Sequence, residues 1–221
     1  MLGAMTPLWQ KAAHVFHERA AEYDSWFDDS LLFDIELGAL RDLQTPLAKP
    51  RLEVGVGPGR FAQQLGVMVG IDPACGALSI ASARVPYVCQ GVGEGLPVQS
   101  DCMATAFLLF TLCFTQEPAQ VIMELARVVK RGGHVVLGVV PKDSLWGKSL
   151  RKKRDDGHPF YKHSTFYTHE QVSRWFADAG LDVVEERSSL FQHPGEVTAL
   201  EHSQRGMDES AGFVVLVGCK K

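Results

Sequence analysis

A glycine-rich loop that directly follows an apolar segment limits what this chain can fold into more than any other feature. The segment starts at Leu52, contains one acidic residue, Glu53, and runs into three alternate glycines, which are Gly55, Gly57 and Gly59. Glycines are needed where a first strand turns into its helix, because a ligand that approaches the backbone leaves no room for a Cβ atom. The loop therefore predicts a ligand site at the end of a first strand.

The spacing of the loop and its acidic neighbours indicate which ligand is expected. A dinucleotide-binding loop reads G-x-G-x-x-G, but its third glycine would fall where this chain has Arg60. The Glu53 carboxylate would repel a pyrophosphate and attract a ligand that carries an ammonium and a sulfonium group. Asp72 ends the next apolar segment, where a carboxylate accepts hydrogen bonds from both ribose hydroxyls. These residues predict a crevice for a sulfonium nucleoside, although Asp72 alone fits several nucleoside binders.

Short apolar segments alternate with helical segments from Arg51 onward, which is typical of a parallel α/β sheet. The predicted strands cover residues 52–56, 67–71, 87–88, 104–110, 134–140, 181–184 and 213–217. Before them, apolar residues recur at helical spacing through residues 8–43, in two sets separated by Asp28 and Asp29. Two helices are therefore expected ahead of the first strand.

Four motifs, in this order along the chain, resemble those of the class I S-adenosylmethionine-dependent methyltransferases. They are E-V-G-V-G-P-G at 53–59, G-I-D at 70–72, G-V-G-E-G-L-P at 91–97 and R-V-V-K-R-G-G at 127–133. The resemblance covers residues 23–180 and implies a Rossmann-like methyltransferase fold. In that α/β fold a seven-stranded, mostly parallel sheet has the order 3-2-1-4-5-7-6 with an antiparallel last strand, helices cover both faces, and a helical lid precedes the sheet.

The same resemblance implies S-adenosyl-L-methionine as the cofactor and S-adenosyl-L-homocysteine as its product. The residues it places at the cofactor are Tyr23, Glu53, Gly55, Gly57, Gly59, Asp72, Pro73, Gly93, Glu94 and Thr111. For Tyr23 the alternative is that its ring only fixes the lid to the domain. The chain departs from the family at Val92, where an Asp that binds the adenine amino group is usual. Adenine would then rely on the backbone around Gly93 and on packing by Leu96 or Pro73, at a cost of about 1 kcal/mol.

The region after the fifth strand, residues 146–167, is rich in aromatic residues and histidines, and in small-molecule members of the family it covers the acceptor. His163 is the candidate catalytic base, with His158 as a second choice, because an unshifted imidazole titrates near neutrality. The alternative is a surface histidine without a chemical role. The spacings of these histidines and His169 match no common zinc pattern, so no metal is expected.

Composition and charge narrow the classes of partner. The formal net charge is -4 and the pI about 6.1, so no global positive field attracts nucleic acid or an anionic membrane. A small-molecule acceptor is therefore expected, with no nucleic acid and no membrane span. Five scattered cysteines indicate reduced thiols in a reducing compartment, and no secretory signal is recognised, so a cytoplasmic location is predicted.

The length of 221 residues fits one domain, either as a monomer or as a homodimer. We expect a helical lid at 1–46, a cofactor-binding half at 50–140, and an acceptor-side half at 141–221 that contains an insertion at 191–211. The predicted activity is transfer of a methyl group from S-adenosylmethionine to a small molecule by in-line displacement. Two alternatives remain open: a non-catalytic binding or partner subunit that keeps the fold, and a nicotinamide-dependent oxidoreductase.

Overall fold

The computed structural model describes residues 7–221 as an α/β fold built on one eight-stranded sheet. The strands are β1 (Arg51–Val54), β2 (Val69–Asp72), β3 (Tyr87–Gln90), β4 (Met103–Leu109), β5 (Val129–Val139), β6 (Leu181–Ser189), β7 (Gln204–Arg205) and β8 (Phe213–Lys220). Their order is β3-β2-β1-β4-β5-β8-β6-β7. The first five strands are parallel, whereas β8 runs antiparallel to both of its neighbours.

The seven principal strands have the predicted order and the predicted antiparallel last strand. The eighth strand was not predicted. It consists of two residues of the 191–211 insertion, and it pairs with β6 through Arg187↔Arg205 and Ser188↔Gln204. Because β6 would otherwise end the sheet with unpaired backbone groups, the insertion provides a short strand that satisfies part of that edge.

Eight α-helices and one 3₁₀ turn accompany these strands within residues 7–221. The α-helices are α1 (Leu8–Glu18), α2 (Ala20–Ser25), α3 (Leu31–Arg41), α4 (Arg60–Gln64), α5 (Cys75–Ala81), α6 (Pro118–Val128), α7 (Leu145–Asp155) and α8 (His169–Asp178), and the 3₁₀ turn is Leu112–Phe114. None of these helices is both long and apolar enough to cross a membrane.

The prediction of two helices ahead of β1 was wrong by one, because α1, α2 and α3 precede that strand. Arg19 interrupts the first of them with non-helical angles, and the Ser30 hydroxyl accepts the Phe33 N–H to start α3. Residues 1–6 of the predicted lid lie outside the described residues.

Hydrophobic layers lie on both faces of the sheet, as β4 illustrates. Ala106 and Leu108 pack into the layer under α6 and α8, whereas Phe107 and Leu109 pack into the layer under α3, α4 and α5. Alternate side chains of a strand point to opposite faces, so a central parallel strand must be apolar at every position. This two-sided burial leaves only the strand ends available for polar chemistry.

The start of β5 was predicted wrongly. The strand begins at Val129, directly after α6, rather than at His134. Met103 pairs with Val129 and Thr105 with His134, so the register shifts around Gly132, whose φ of +72° allows the chain to bend there. The predicted glycine turn is thus an irregularity within the strand.

Candidate active site

The carboxyl ends of β1, β2 and β4 open into a cavity, which we call the loop cavity. Its lining contains nine of the ten residues predicted to hold the cofactor, which are Tyr23, Glu53, Gly55, Gly57, Asp72, Pro73, Gly93, Glu94 and Thr111. The tenth, Gly59, lies behind the loop as the N-cap of α4, with a φ of +83°. The structure therefore brings together residues from five separate segments of the sequence at one sheet edge, as expected where parallel strands end side by side.

Two glycines of the loop differ in why a side chain is excluded. Gly55 has a φ of +71°, and a Cβ atom there would lie 2.1 Å from the Thr111 Oγ1 atom. The Thr111 hydroxyl is fixed in that position because it donates to the Leu109 carbonyl at 2.9 Å. Gly57 has a φ of +51°, but its nearest neighbour would be the Tyr23 ring at 3.5 Å. Crowding therefore enforces glycine at 55, and backbone conformation enforces it at 57.

Asp72 fixes the shape of the loop. One carboxylate oxygen accepts the Gly57 N–H at 2.9 Å and the other accepts the Ala74 N–H at 2.8 Å. Burial raises the pKa of Asp72 to about 6, against the opposing effect of these two hydrogen bonds. Each oxygen keeps a lone pair for a further donor, so the carboxylate remains able to accept hydrogen bonds from two ligand hydroxyls.

Glu53 is the least satisfied polar group of the loop cavity. Its side chain is 2% exposed, and its Oε2 atom has no hydrogen-bond partner within residues 7–221. Burial, and then the nearby Asp72 charge, raise the pKa of Glu53 well above its ordinary value. A buried acid without a partner destabilises the protein unless a ligand supplies a donor or a positive charge. The predicted sulfonium nucleoside carries both, so the residues present fit that group.

Glu94 lines the cavity but is already engaged with the protein. Its Oε1 atom accepts the Gln116 N–H at 2.8 Å and the Glu117 N–H at 3.3 Å, which holds the segment that leads into α6. Gly93 packs against α6, where a Cβ atom would lie 2.9 Å from Val121. This part of the site therefore has a shape determined by backbone contacts rather than by free polar side chains.

A second cavity, which we call the aromatic cavity, adjoins the first. Six residues line both cavities, which are Phe16, Tyr23, Phe27, Phe61, Phe110 and Phe114. The remaining lining of the aromatic cavity includes Trp26, Phe33, Phe160, Tyr161, Phe166 and Tyr167. The region after β5 thus reaches the site through residues 160–167, and an aromatic wall separates the two spaces.

Tyr23 of α2 occupies the centre of that wall. Its ring contacts those of Phe16, Trp26, Phe27 and Phe160, with centroid distances of 5.0, 5.3, 5.4 and 5.8 Å. Burial raises the pKa of Tyr23 far above its ordinary value, so the hydroxyl stays protonated at every relevant pH. The two roles weighed for Tyr23, lid packing and a place at the cofactor, are both compatible with this position.

Asp24, the residue after Tyr23 on α2, connects that helix to the glycine loop. Its carboxylate binds Arg60 of α4 at 2.6 Å and Arg84 at 2.7 Å, and Arg84 also donates to the Pro58 carbonyl at 2.7 Å. Burial alone would raise the pKa of Asp24, but hydrogen bonds from Arg84 and Arg60 outweigh that effect and lower it. Arg60 therefore connects the loop to the lid, a role that sequence reasoning did not find.

Sequence reasoning also missed Glu36 of α3. This residue lines the aromatic cavity and is 8% exposed. Burial raises the pKa of Glu36 to about 8. A signal was available, because Leu32 and Leu40 lie four residues before and after it and place Glu36 on the apolar face of the helix.

His163 and the insertion lie away from both cavities. His163 is absent from either lining, and burial followed by the charges of Lys162 and Lys11 lowers its pKa. Its catalytic role remains a prediction without a contact behind it, although its neighbour Tyr161 does line the aromatic cavity. No residue of 191–211 lines either space, and the insertion instead receives the Trp146 indole N–H at the Gln192 carbonyl, at 2.8 Å.

Comparison with known proteins gives a consistent set of similarities. Residues 52–137 match a family model described as a methyltransferase domain. An uncharacterised protein of Mycobacterium tuberculosis is 37% identical over 201 residues, which are 89% of this chain and 70% of that protein. A crystal structure from Thermotoga maritima has a TM-score of 0.88 at 31% identity and covers 95% of this chain and 100% of that one. That protein is described as a SAM-dependent methyltransferase, possible histamine N-methyltransferase.

A more distant structure contains ligands. Geranyl diphosphate C-methyltransferase from Streptomyces coelicolor has a TM-score of 0.66 at 11% identity, and the alignment covers 98% of this chain and 99% of that one. It was crystallised with Mg²⁺, geranyl diphosphate and S-adenosyl-L-homocysteine. At this identity the likeness concerns the fold alone.

Proposed function

The chain belongs to the class I S-adenosylmethionine-dependent methyltransferases, and from that premise we propose that it methylates a small, largely apolar molecule bound in the aromatic cavity. One observation carries the proposal. Two cavities adjoin through a shared wall of six aromatic residues, one cavity suited to a charged nucleoside and the other to an apolar partner. Adjoining sites are what a transfer between two bound molecules requires, because alignment of the reactants contributes most of the rate.

S-adenosylmethionine is the cofactor, and when bound it supplies a methyl group already activated by a sulfonium charge. We assign Glu53 to the positively charged part of the cofactor, because its carboxyl is buried without a partner. Asp72 accepts hydrogen bonds from the ribose, and the backbone around Gly93 with Pro73 borders the adenine. Thr111 holds the edge of the loop through its side-chain hydroxyl, which lies 2.9 Å from the Leu109 carbonyl oxygen and 3.3 Å from that of Gly55.

The chain's own contribution to the reaction is alignment and exclusion of water. Phe16 of α1, Tyr23 and Phe27 lie over the strand ends, and Phe110 and Phe114 border the same space after β4. An apolar wall lowers the local dielectric constant, which strengthens the interaction between a charged donor and the protein carboxylates. The ion pairs of Asp24 keep this wall attached to the loop.

The lining of the aromatic cavity supports a small and mostly apolar acceptor. The cavity has a volume of about 140 Å³, comparable to a cavity that holds a benzene-sized molecule. Among residues 7–221 no Lys, Arg or His lines it, so a nucleic acid phosphate would find no counter-charge in that lining. A small acceptor agrees with the description of the Thermotoga maritima relative as a possible histamine N-methyltransferase.

The test is a calorimetric titration of the full chain with S-adenosylmethionine and S-adenosylhomocysteine, followed by a transfer assay over a panel of small aromatic acceptors. Binding of both nucleosides and methylation of at least one acceptor are expected. Absence of nucleoside binding at millimolar concentration would contradict the proposal. Nucleoside binding without transfer to any acceptor would instead favour the partner-subunit alternative.

A further inference from the structure

Glu36 is the one carboxyl group in the lining of the aromatic cavity. It projects from the middle of α3 into a space otherwise formed by aromatic and aliphatic side chains. Within residues 7–221 no hydrogen bond or ion pair satisfies it, and burial alone accounts for its shifted titration. Burying an acid in this way destabilises a fold unless something else pairs with it. Residues 7–221 provide no such group, so the partner of Glu36 comes from what fills the cavity, which is water in the free protein and a ligand when one is bound.

The charges around the cavity determine what kind of ligand fits. The lining contains this single acid and no basic residue, and its other polar side chains are Ser30, Cys113, Tyr23, Tyr161 and Tyr167. An anionic acceptor would therefore meet no counter-charge. A cation would meet a carboxylate and the faces of several aromatic rings, which attract positive charge through their quadrupoles. Two of the rings already attract a cation of the protein, because Lys153 Nζ lies 6.0 Å from the Tyr161 centroid and Arg19 Cζ lies 5.2 Å from the Phe160 centroid.

We propose that Glu36 is the specificity-determining residue of the acceptor site, where its carboxylate binds the ammonium group of an amine whose apolar body fills the aromatic cavity. This inference rests on the proposed function, because it names the substrate class of the same site. The methyl acceptor atom is a separate matter, since the ammonium serves here as an anchor.

Binding of an ammonium to Glu36 has a second consequence, which is release of a proton. Because the pKa of Glu36 in the free protein is about 8, the carboxyl is mostly protonated at pH 7 and must ionise to pair with the cation. The proton then passes to the buffer. An alcohol of the same shape would release none.

The groups that face Glu36 from neighbouring elements do not titrate in that range. Burial raises the pKa of Cys113 in the 3₁₀ turn to about 12 and raises those of Tyr23 on α2 and Tyr161 in the 160–167 segment further. His158, which contacts the Tyr161 ring, has a pKa lowered by burial and by Lys153, so it is neutral above pH 7. Asp72 and Glu53 of the adjoining loop cavity also have raised pKa values, so a proton released near pH 7 is assigned to Glu36 by its absence in the Glu36→Gln variant.

The experiment uses the full chain saturated with S-adenosylhomocysteine and three probes of similar shape: 2-phenylethylamine, 2-phenylethanol and 3-phenylpropionate. Calorimetry in buffers of different ionisation enthalpy measures affinity and the number of protons released. We expect the amine to bind about tenfold or more tightly than the alcohol, with close to one proton released at pH 7. The carboxylate should bind weakest.

Two variants complete the test. Glu36→Gln should bind the amine and the alcohol equally and release no proton, whereas Asp34→Asn should behave as the wild type. Asp34 is a matched control because it lies on the same helix and is exposed. Thermal melting of both variants shows whether they are folded, and circular dichroism gives a second measure.

The outcomes separate this inference from the proposed function. Equal binding of amine and alcohol, tighter binding of the carboxylate, no amine binding at millimolar concentration, or an unchanged amine preference in Glu36→Gln would each overturn the role of Glu36. Saturation with S-adenosylhomocysteine is measured first on the same sample. If that step fails, it is the proposed function that fails.

Discussion

The loop cavity and the aromatic cavity share a wall, but they are constructed in different ways. The loop cavity is formed by short motifs at the ends of adjacent strands, and its key carboxylate, Asp72, is held by two backbone N–H groups. Side chains from α1, α2, α3, the 3₁₀ turn and residues 160–167 contribute to the aromatic cavity, and Glu36, the one carboxyl that residues 7–221 place in its lining, has no partner among those residues.

This difference separates a fixed site from an adaptable one. Backbone hydrogen bonds allow little variation in the loop, because each glycine and each acceptor has one conformation that satisfies them. Aromatic side chains on separate helices can be exchanged for others of similar volume without altering the sheet. A fold that retains one cofactor while its acceptors vary would be expected to divide its site in this manner. The following predictions test that division, beginning with the largest effect.

The largest effect is expected at Gly55, where crowding and backbone conformation act together. Gly55→Ala should abolish S-adenosylhomocysteine binding and lower the free energy of unfolding by about 3 kcal/mol, because the Cβ atom meets the Thr111 hydroxyl. Gly57→Ala is the matched control, because Gly57 also has a positive φ but has space for a methyl group. Its free energy of unfolding should fall by only about 1 kcal/mol. Urea unfolding and calorimetry measure both. Equal losses would show that crowding does not shape the loop.

A smaller loss is expected from Asp72, which shapes the loop and which we propose binds the ribose. Asp72→Ala should weaken S-adenosylhomocysteine binding by about 1 to 3 kcal/mol, because charge-assisted hydrogen bonds are lost. Asp101→Ala, at an exposed acid outside both cavities, serves as the control. Calorimetry measures the dissociation constant of S-adenosylhomocysteine for both variants and the wild type. An unchanged value for Asp72→Ala would remove this residue from the cofactor site.

The acid of the aromatic cavity should affect stability in a pH-dependent way. In the folded protein the pKa of Glu36 is about 8, above its ordinary value of 4.5. The folded state therefore binds more protons than the unfolded state between these values, and stability is lost as the pH rises through about 8. Glu36→Gln cannot ionise, so its stability should match that of the wild type at pH 4 and exceed it by a margin that grows with pH and reaches about 2 kcal/mol near pH 6.

Thermal or urea unfolding across this pH range measures the difference. Asp72 and Glu53 also have raised pKa values, but they are present in both proteins and their contributions cancel. A constant difference between the two proteins from pH 4 to pH 9 would show that Glu36 is not buried as an unpaired acid.

The smallest effect should come from the aromatic side chains that surround only the acceptor. Phe160 lines the aromatic cavity and not the loop cavity. Phe160→Leu should raise the KM for a methyl acceptor several-fold, equivalent to about 1 kcal/mol, with S-adenosylhomocysteine affinity unchanged. Tyr87→Leu, at a side chain that is 65% exposed on β3, is the control for loss of an aromatic ring. An equal loss of nucleoside affinity in Phe160→Leu would mean that the two cavities act as one.

The sequence permitted an accurate prediction of the sheet because its signals are local. Alternating apolar segments and helix boundaries predicted seven strands, the resemblance of four motifs to a known family implied the observed order, and the glycine spacing placed the loop at the end of β1. The short strand β7 escaped prediction because two exposed residues, Gln204 and Arg205, pair only when β6 offers a free edge. The early start of β5 was missed because its register shift depends on β4.

The same distinction between local sequence patterns and tertiary packing applies to the residues of the candidate site. Nine of the ten residues assigned to the cofactor line one cavity, since each lies in a motif whose position on a strand end is fixed by local pattern. His163 was selected by residue type alone and lies outside both linings. Glu36 was overlooked because the helical pattern places it on the apolar face of α3 without showing that this face borders a cavity.

By itself the sequence determined the fold class through its periodicity, and its motifs, with glycines that no other residue can replace, indicated the strand order and the cofactor through their resemblance to a known family. Only the tertiary structure determined the aromatic cavity. The residues that line it come from segments separated by up to about 150 positions, and its polarity depends on Glu36, which is buried with no partner among residues 7–221. Those are properties of packing, and packing is not encoded in any one segment.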